Sequence, residues 1–422
     1  MKKIVINGGK PLFGEISISG MKNAAMPIIY ACLLVKGDCF IDNLPNIRDV
    51  RICLEIIESM GAEVERLGEN SVRINCDNAV GGTAPSELVS KIRASYYLLG
   101  AELGRFGRTK VTLPGGCNFG TRPIDQHLKG FRALGAQMDD SSDEYVTGEA
   151  PEGLRPTNIF FDVVSVGATM NIMLAATCVE GTTIIDNAAR EPHVVDLANF
   201  LNTCGADIRG AGTDTIKING TKDLQGCSYT IIPDMIEAGT YLIAAAATKG
   251  MLKITNVIPK HLDSTVAKLE EMGVKIIEEG ESVTADGRDI TLKAVNIKTR
   301  PYPGFPTDMH PQFGVLLAIA EGEGQIFEGI YEKRFKYTDE LIRMGAKINV
   351  ELKKATFKGV SGLKGAAVRA ADLRAGAAVV LAGLCADGTT QIDDVHLIER
   401  GYDDIVGKLQ RVGADIEYVE IN

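Results

Sequence analysis

The 422-residue chain predicts an α/β protein of two similar domains, each built from three copies of one helix-and-strand unit. Two recurring patterns and the overall composition predict it. An amphipathic helix ends in a glycine-containing turn six times, in SMGAEV, ALGAQM, TCGADI, EMGVKI, RMGAKI and RVGADI, and the glycines Gly61, Gly135, Gly205, Gly273, Gly345 and Gly413 lie roughly 70 residues apart. A second pattern, a helix end, a glycine and a β-rich run, precedes each of these: KGDCFIDN, FGRTKVTL, EGTTIIDN, KGMLKITN, EGQIFEGI and DGTTQIDD. Hydrophobic residues make up 45% of the chain, enough for two cores, with no apolar stretch long enough to span a bilayer.

Taken in order, the opening runs KIVINGG and GEISISG read as strands that precede the first full helix. Six repeats leave them over, so they are expected to pair with the second half. In VRICLEIIESMGA, Val50, Leu54, Ile57 and Met60 recur at three or four residues, the spacing of one buried helix face. Val266, Leu269 and Met272 repeat that spacing in the fourth copy. Each glycine that follows is a helix C-cap feeding a strand. VRINC and TIKING alternate apolar and polar residues as half-buried strands do. The third copy ends near Ile231 and Ile232, which places the boundary close to Pro233. The expected domains are therefore residues 22–232 and residues 1–21 with 233–422, with chain crossings near Gly20 and Pro233 that could hinge.

The MKKIVINGGK start lacks the apolar core of a signal peptide, so a cytoplasmic protein is expected. Nine cysteines, odd in number and never in a CxxC pair, are expected to be reduced thiols. Five histidines lie dispersed without HxH or HxxxH spacing, and no metal site is expected. The net charge of −10 argues against general nucleic-acid binding, because neutralising the phosphate backbone needs cations. An anionic ligand must then meet a local basic cluster. Lys22, Arg48, Arg93, Arg122, Arg334, Arg374 and Arg400 fall in loops or at helix starts and are its candidate members.

PGGCNFGTRPID, residues 114–125, carries the most chemistry. Gly115, Gly116 and Gly120 allow positive φ, so this polar loop is read as a mobile lid. It bears Cys117 among basic neighbours, where a thiol acts as acid or nucleophile.

With the repeats, the segments SGMKNAAMP, IRASYYLLG, PGGCNFGTRPID, SVGAT, NAAREP, PDMIEAGT, YPGFPTDM, EKRF, DLRAGA and ERGYDD make the chain resemble the enolpyruvyl transferases over nearly its whole length. The resemblance implies an inside-out α/β fold of two similar three-repeat domains with the active site in the cleft between them. It implies transfer of the enolpyruvyl group of phosphoenolpyruvate to the 3′-hydroxyl of UDP-N-acetylglucosamine with release of phosphate, the first committed step of peptidoglycan synthesis. The partners are then two small molecules, and no cofactor or metal is needed. The family branch acting on shikimate 3-phosphate is the alternative, but it lacks the PGGC thiol and SVGAT as written here. A non-catalytic relative is expected to have lost Lys22, Cys117 or Arg400, and all three are present.

By matching position, Lys22, Arg122 and Arg400 resemble the family's phosphate-binding set, Arg334 and Arg374 its carboxylate-binding pair, and Arg93 a neighbouring contact. Guanidinium forks suit both anions. Asn23, which could equally cap a helix, looks like the residue that hydrogen-bonds the reacting centre. Cys117 resembles the general acid, able also to form a covalent adduct. Asp308 resembles the aspartate at the 3′-hydroxyl, although taken alone an Asx turn after proline fits it as well. Asp372 is similar to a second acidic residue that shapes the site. The nucleotide is matched to Arg122, Pro123, Ile124, Asp125 and Gln126, to Ser165, Val166 and Gly167, and to Ile330. Val163 stands where some relatives carry a lysine close to the diphosphate, and Arg48 where relatives often carry lysine.

Overall fold

A computed structural model describes residues 2–113 and 123–420 of the chain. Two compact units emerge: a C-terminal unit of residues 2–19 with 233–420, and an N-terminal unit of residues 20–113 with 123–232. Met21 N–H donates to the Ile232 carbonyl at 2.7 Å, which groups Gly20 and Met21 with the N-terminal unit. Ser19 is held inside the other unit, its amide on Glu237 and its carbonyl on the Asp234 N–H, both at 2.9 Å.

Each unit contains three small sheets. The β-rich runs marked in the sequence form the strands Asp38–Asp42, Arg108–Thr112, Gly181–Asp186, Met251–Thr255, Glu323–Phe327 and Thr389–Asp393. Each pairs antiparallel with a neighbour, and in all but the second copy it also has a parallel partner among the described residues, which in the third, fifth and sixth copies is the last strand of the preceding copy. Ser228–Thr230, at the end of the third copy, runs parallel to Asp38–Asp42 of the first and so ties the ends of the N-terminal unit together. Lys2–Asn7 lies between Thr389–Asp393 and Asp415–Glu420, antiparallel to both, where other copies place the second strand of their own hairpin. Phe13–Ser17 runs parallel to Met251–Thr255.

Each copy holds two main helices of different character, and the first copy adds the short helix Ser86–Val89. Lys22–Ala31, Tyr97–Phe106 and Val166–Thr177 of one unit, and Met235–Ala247, His310–Ile319 and Leu373–Cys385 of the other, are buried almost all round. All thirteen residues of Met235–Ala247 are buried. Sequence period does not mark such helices, because there is no polar face to alternate with. Small residues let them approach: a Cβ on Gly100 would stand 2.2 Å from the Asn171 carbonyl oxygen of the neighbouring helix. The second helix of each copy is amphipathic and ends at one of the six repeat glycines, whose φ values lie between 95° and 109°. That left-handed geometry suits glycine and turns the chain into the next strand.

Candidate active site

The inner helices and the turns before them position the functional side chains, and each unit carries its own group. In the C-terminal unit the group centres on Asp308, in the 3₁₀ turn Thr307–Met309 just before His310–Ile319. Arg334 Nη2 donates to Asp308 Oδ1 at 2.6 Å, and Arg374 Nε donates to Oδ2 at 3.2 Å. Both arginine side chains are only 3% exposed, whereas that of Asp308 is 27% exposed. Enclosure works to raise the Asp308 pKa, but the two guanidinium charges outweigh it and hold the carboxyl well below the usual range. Buried Nη1 of Arg374 makes no hydrogen bond among the described residues, a costly state that an anion would relieve. Asp372 caps Leu373–Cys385, accepting from the Arg374 and Ala375 amides at 2.9 Å, and thereby sets where Arg374 leaves the helix. Ile330 is 37% exposed and its amide donates to Glu328. Arg400 is half-buried in the turn after the 3₁₀ helix Val395–Leu397.

In the N-terminal unit Lys22 is the first residue of Lys22–Ala31 and pairs through Nζ with Asp49 Oδ2 at 2.8 Å; both side chains are under 10% exposed. Asn23 is half-buried at the second helical position, and the cap position belongs to Met21, so the capping alternative for Asn23 is set aside. Arg48 is exposed at the start of Arg48–Ser59. A second cluster gathers around His127 in the helix Asp125–Ala133, whose cap is Ile124, with exposed Pro123 ahead of it. Arg93 lies over the Tyr96 ring at 5.2 Å, and that ring is 6.2 Å from His127. Gln126 donates to Asp125 at 2.8 Å and to Asp162 at 3.3 Å, and accepts from the Asp162 amide at 3.0 Å. Ser165 caps Val166–Thr177 by accepting from the Ala168 amide at 3.3 Å. A Cβ on Gly167 would stand 2.8 Å from His127 Nε2, so only glycine fits against that ring. Val163 is 59% exposed.

His127 itself carries a defined proton. Burial and then the Arg93 charge bring its pKa down to about 3, so the ring is neutral at neutral pH. Asn171 Oδ1 already accepts from the Gly100 amide at 2.9 Å, which leaves Asn171 Nδ2 to donate to His127 Nδ1, also at 2.9 Å. The ring proton therefore sits on Nε2, on the side of Gly167. Asp49 and His127 escaped sequence reasoning. An aspartate in a first helical turn already has a reason to be there, and one dispersed histidine gives no local signal. Cys117 and Arg122 lie outside the described residues.

These two groups, one a carboxylate between buried guanidinium forks and the other a neutral histidine among Arg93, Gln126 and Gly167, stand on a chain whose residues 6–409 match the model for EPSP synthase (3-phosphoshikimate 1-carboxyvinyltransferase). The chain belongs to this family of enolpyruvyl transferases. Among full-length relatives, UDP-N-acetylglucosamine 1-carboxyvinyltransferase of Clostridium botulinum is 54% identical over 417 residues, 99% of each chain. A protein of the same name, numbered 3, from Caldanaerobacter subterraneus is 54% identical over 416 residues, again 99% of each. Among solved structures, the enolpyruvyl transferase NikO from Streptomyces tendae superposes with a TM-score of 0.90 at 28% identity, over 100% of this chain and 99% of that one. EPSP synthase from Acinetobacter baumannii, at 18% identity and a TM-score of 0.79 over all of both chains, shares the fold. The inside-out α/β architecture of enolpyruvyl transferases is thus the architecture of this chain. No described helix is long and apolar enough to cross a membrane.

Proposed function

We propose that the chain transfers the enolpyruvyl group of phosphoenolpyruvate to the 3′-hydroxyl of UDP-N-acetylglucosamine, releasing phosphate, as a cytoplasmic step of peptidoglycan synthesis. One observation carries the reading: two guanidinium groups, each 3% exposed, converge on the single carboxylate of Asp308. Buried cations at that density suit a ligand carboxylate, and relatives at 54% identity bear the name of this activity whereas the EPSP synthase likeness is at 18%.

In this reading Arg334 and Arg374 take the phosphoenolpyruvate carboxylate. That carboxylate competes with Asp308 for the same forks, and as Asp308 loses them its basicity rises toward what a general base needs. Asp308 then accepts the proton of the 3′-hydroxyl while the hydroxyl oxygen bonds to C2 of phosphoenolpyruvate, and Cys117 delivers a proton to the methylene carbon. The intermediate then loses phosphate, which carries off the proton held by Asp308, while a C3 proton returns to the Cys117 thiolate and the double bond reforms. Lys22, Arg122 and Arg400 receive the phosphate, and Asn23 holds the reacting centre. Asp49 keeps Lys22 in place until that anion arrives. Arg93, Arg122, Pro123, Ile124, Asp125, Gln126, Ser165, Val166, Gly167 and Ile330 hold the nucleotide sugar.

The test is release of inorganic phosphate from phosphoenolpyruvate with UDP-N-acetylglucosamine, with shikimate 3-phosphate and with no acceptor. Release only with the nucleotide sugar is expected. Release with shikimate 3-phosphate alone would transfer the chain to the other branch, and none with either acceptor would remove the activity.

A further inference from the structure

We propose that Glu328 and Thr307 form a relay that aims the Arg334 guanidinium, and so act as positioning residues for the phosphoenolpyruvate carboxylate; the inference rests on the function proposed above. Glu328 follows the strand Glu323–Phe327 and is 0% exposed. Its Oε1 accepts the amides of Ile330 at 2.7 Å and Tyr331 at 2.9 Å, and its Oε2 accepts the Thr307 hydroxyl at 2.9 Å. His310 Nε2 stands 3.4 Å from Oε2 and makes no hydrogen bond among the described residues. Burial and then the Arg334 charge hold the His310 pKa far below its ordinary value, so that ring adds no charge to the arrangement.

The direction of the Thr307 hydroxyl follows from counting protons. It has one, and Glu328 takes it, so the lone pairs of Thr307 Oγ1 are left for Arg334 Nη1 at 3.1 Å. A guanidinium only donates, and a hydroxyl turned the other way would present a proton to it. The neighbouring Nη2 donates to Asp308, so two consecutive residues of one turn fix both prongs of the fork. Tyr331, whose amide Glu328 also holds, lies under the same guanidinium with its ring 5.3 Å away. Glu328 therefore anchors the acceptor for one prong and the ring beneath, together with the Ile330 amide, and being 0% exposed it acts through these groups.

The variants are Thr307→Val, Thr307→Ser and Glu328→Gln, read by steady-state KM for each substrate and by calorimetric binding of phosphoenolpyruvate. Thr307→Val is expected to raise KM and the dissociation constant for phosphoenolpyruvate about tenfold, the effect of one lost hydrogen bond to a charged group, with KM for UDP-N-acetylglucosamine within about twofold. Thr307→Ser should restore both. Glu328→Gln exchanges one acceptor oxygen for a donor, so it cannot serve the hydroxyl and the amides alike. It should weaken phosphoenolpyruvate in the same way, and the double variant should lose no more than the worse single one. A serine variant no better than the valine, both KM values rising together in Thr307→Val, or additive losses of phosphoenolpyruvate binding in the double variant would each overturn the relay. Should Glu328→Gln fail to fold, the Thr307 pair decides alone. Wild-type protein without nucleotide-sugar-dependent phosphate release refutes the functional reading, and the binding arm still tests the relay.

Discussion

Asp308 joins three positions that sequence order keeps 26 and 66 residues apart, and its charge state should be visible in stability. Its pKa is depressed, so its contribution is complete above the unfolded value of about 3.9 and is lost as pH falls from there toward the folded value. Asp308→Asn leaves two buried guanidinium groups without their shared counter-ion and should cost about 3 kcal/mol at pH 7. Urea unfolding of both proteins should show that gap unchanged from pH 7 to pH 5 and shrinking only below about pH 4; a gap already closing above pH 5 contradicts the pairing. His127 is the opposite kind of group. With a folded pKa of about 3 and an unfolded value of about 6.5, the unfolded chain binds the extra proton across that interval, so the wild type loses up to about 1.4 kcal/mol per pH unit on acidification. His127→Asn should flatten that slope, and the His127 ring resonances should not titrate between pH 8 and pH 5. For Cys117, the general-acid reading predicts that Cys117→Ser loses most turnover. Cys117→Asp should keep part of it, since an aspartic acid carries a proton and a serine hydroxyl holds its proton too tightly. Full activity in the serine variant would remove the thiol from the mechanism.

At the scale of elements, the six glycine turns do the same backbone work in different surroundings. Among the described residues a Cβ on Gly345 meets nothing within 4 Å, while one on Gly61 would stand 2.9 Å from the Asn78 carbonyl oxygen. Gly345→Ala should therefore cost only the left-handed penalty, about 1–2 kcal/mol, and Gly61→Ala more than that. Denaturant midpoints of the two variants provide the comparison, and equal losses would mean that the neighbouring carbonyl yields freely. The amphipathic helices that end at these glycines were legible because half their surface is polar. Inner helices such as Met235–Ala247 were not, since burial on every side removes the contrast that periodicity needs.

For the whole molecule, the two opening strands matter more than their position suggests. Ile4 and Ile6 are fully buried in the middle of a sheet whose other strands come from the chain's last 56 residues. Deleting residues 1–9 should expose Thr389–Asp393 and Asp415–Glu420 to rapid amide exchange and lower the melting temperature. Amides of Lys22–Ala31 and Val166–Thr177, in the N-terminal unit, should keep their protection. Equal loss of protection in both units would show that they do not unfold separately.

By itself the sequence determined the repeat, the helix ends and the strands, because glycine turns and alternating polarity are local properties of the chain. It also carried the resemblance that named Asp308, Arg334 and Arg374. Only the tertiary structure decided that these three form one ion-paired cluster, that Asp49 partners Lys22, that the His127 proton faces Gly167, and that Glu328 is buried beneath the site. Each of these depends on distances between segments far apart in sequence. Charge pairing and burial act through space, and nothing in the residues on either side records them.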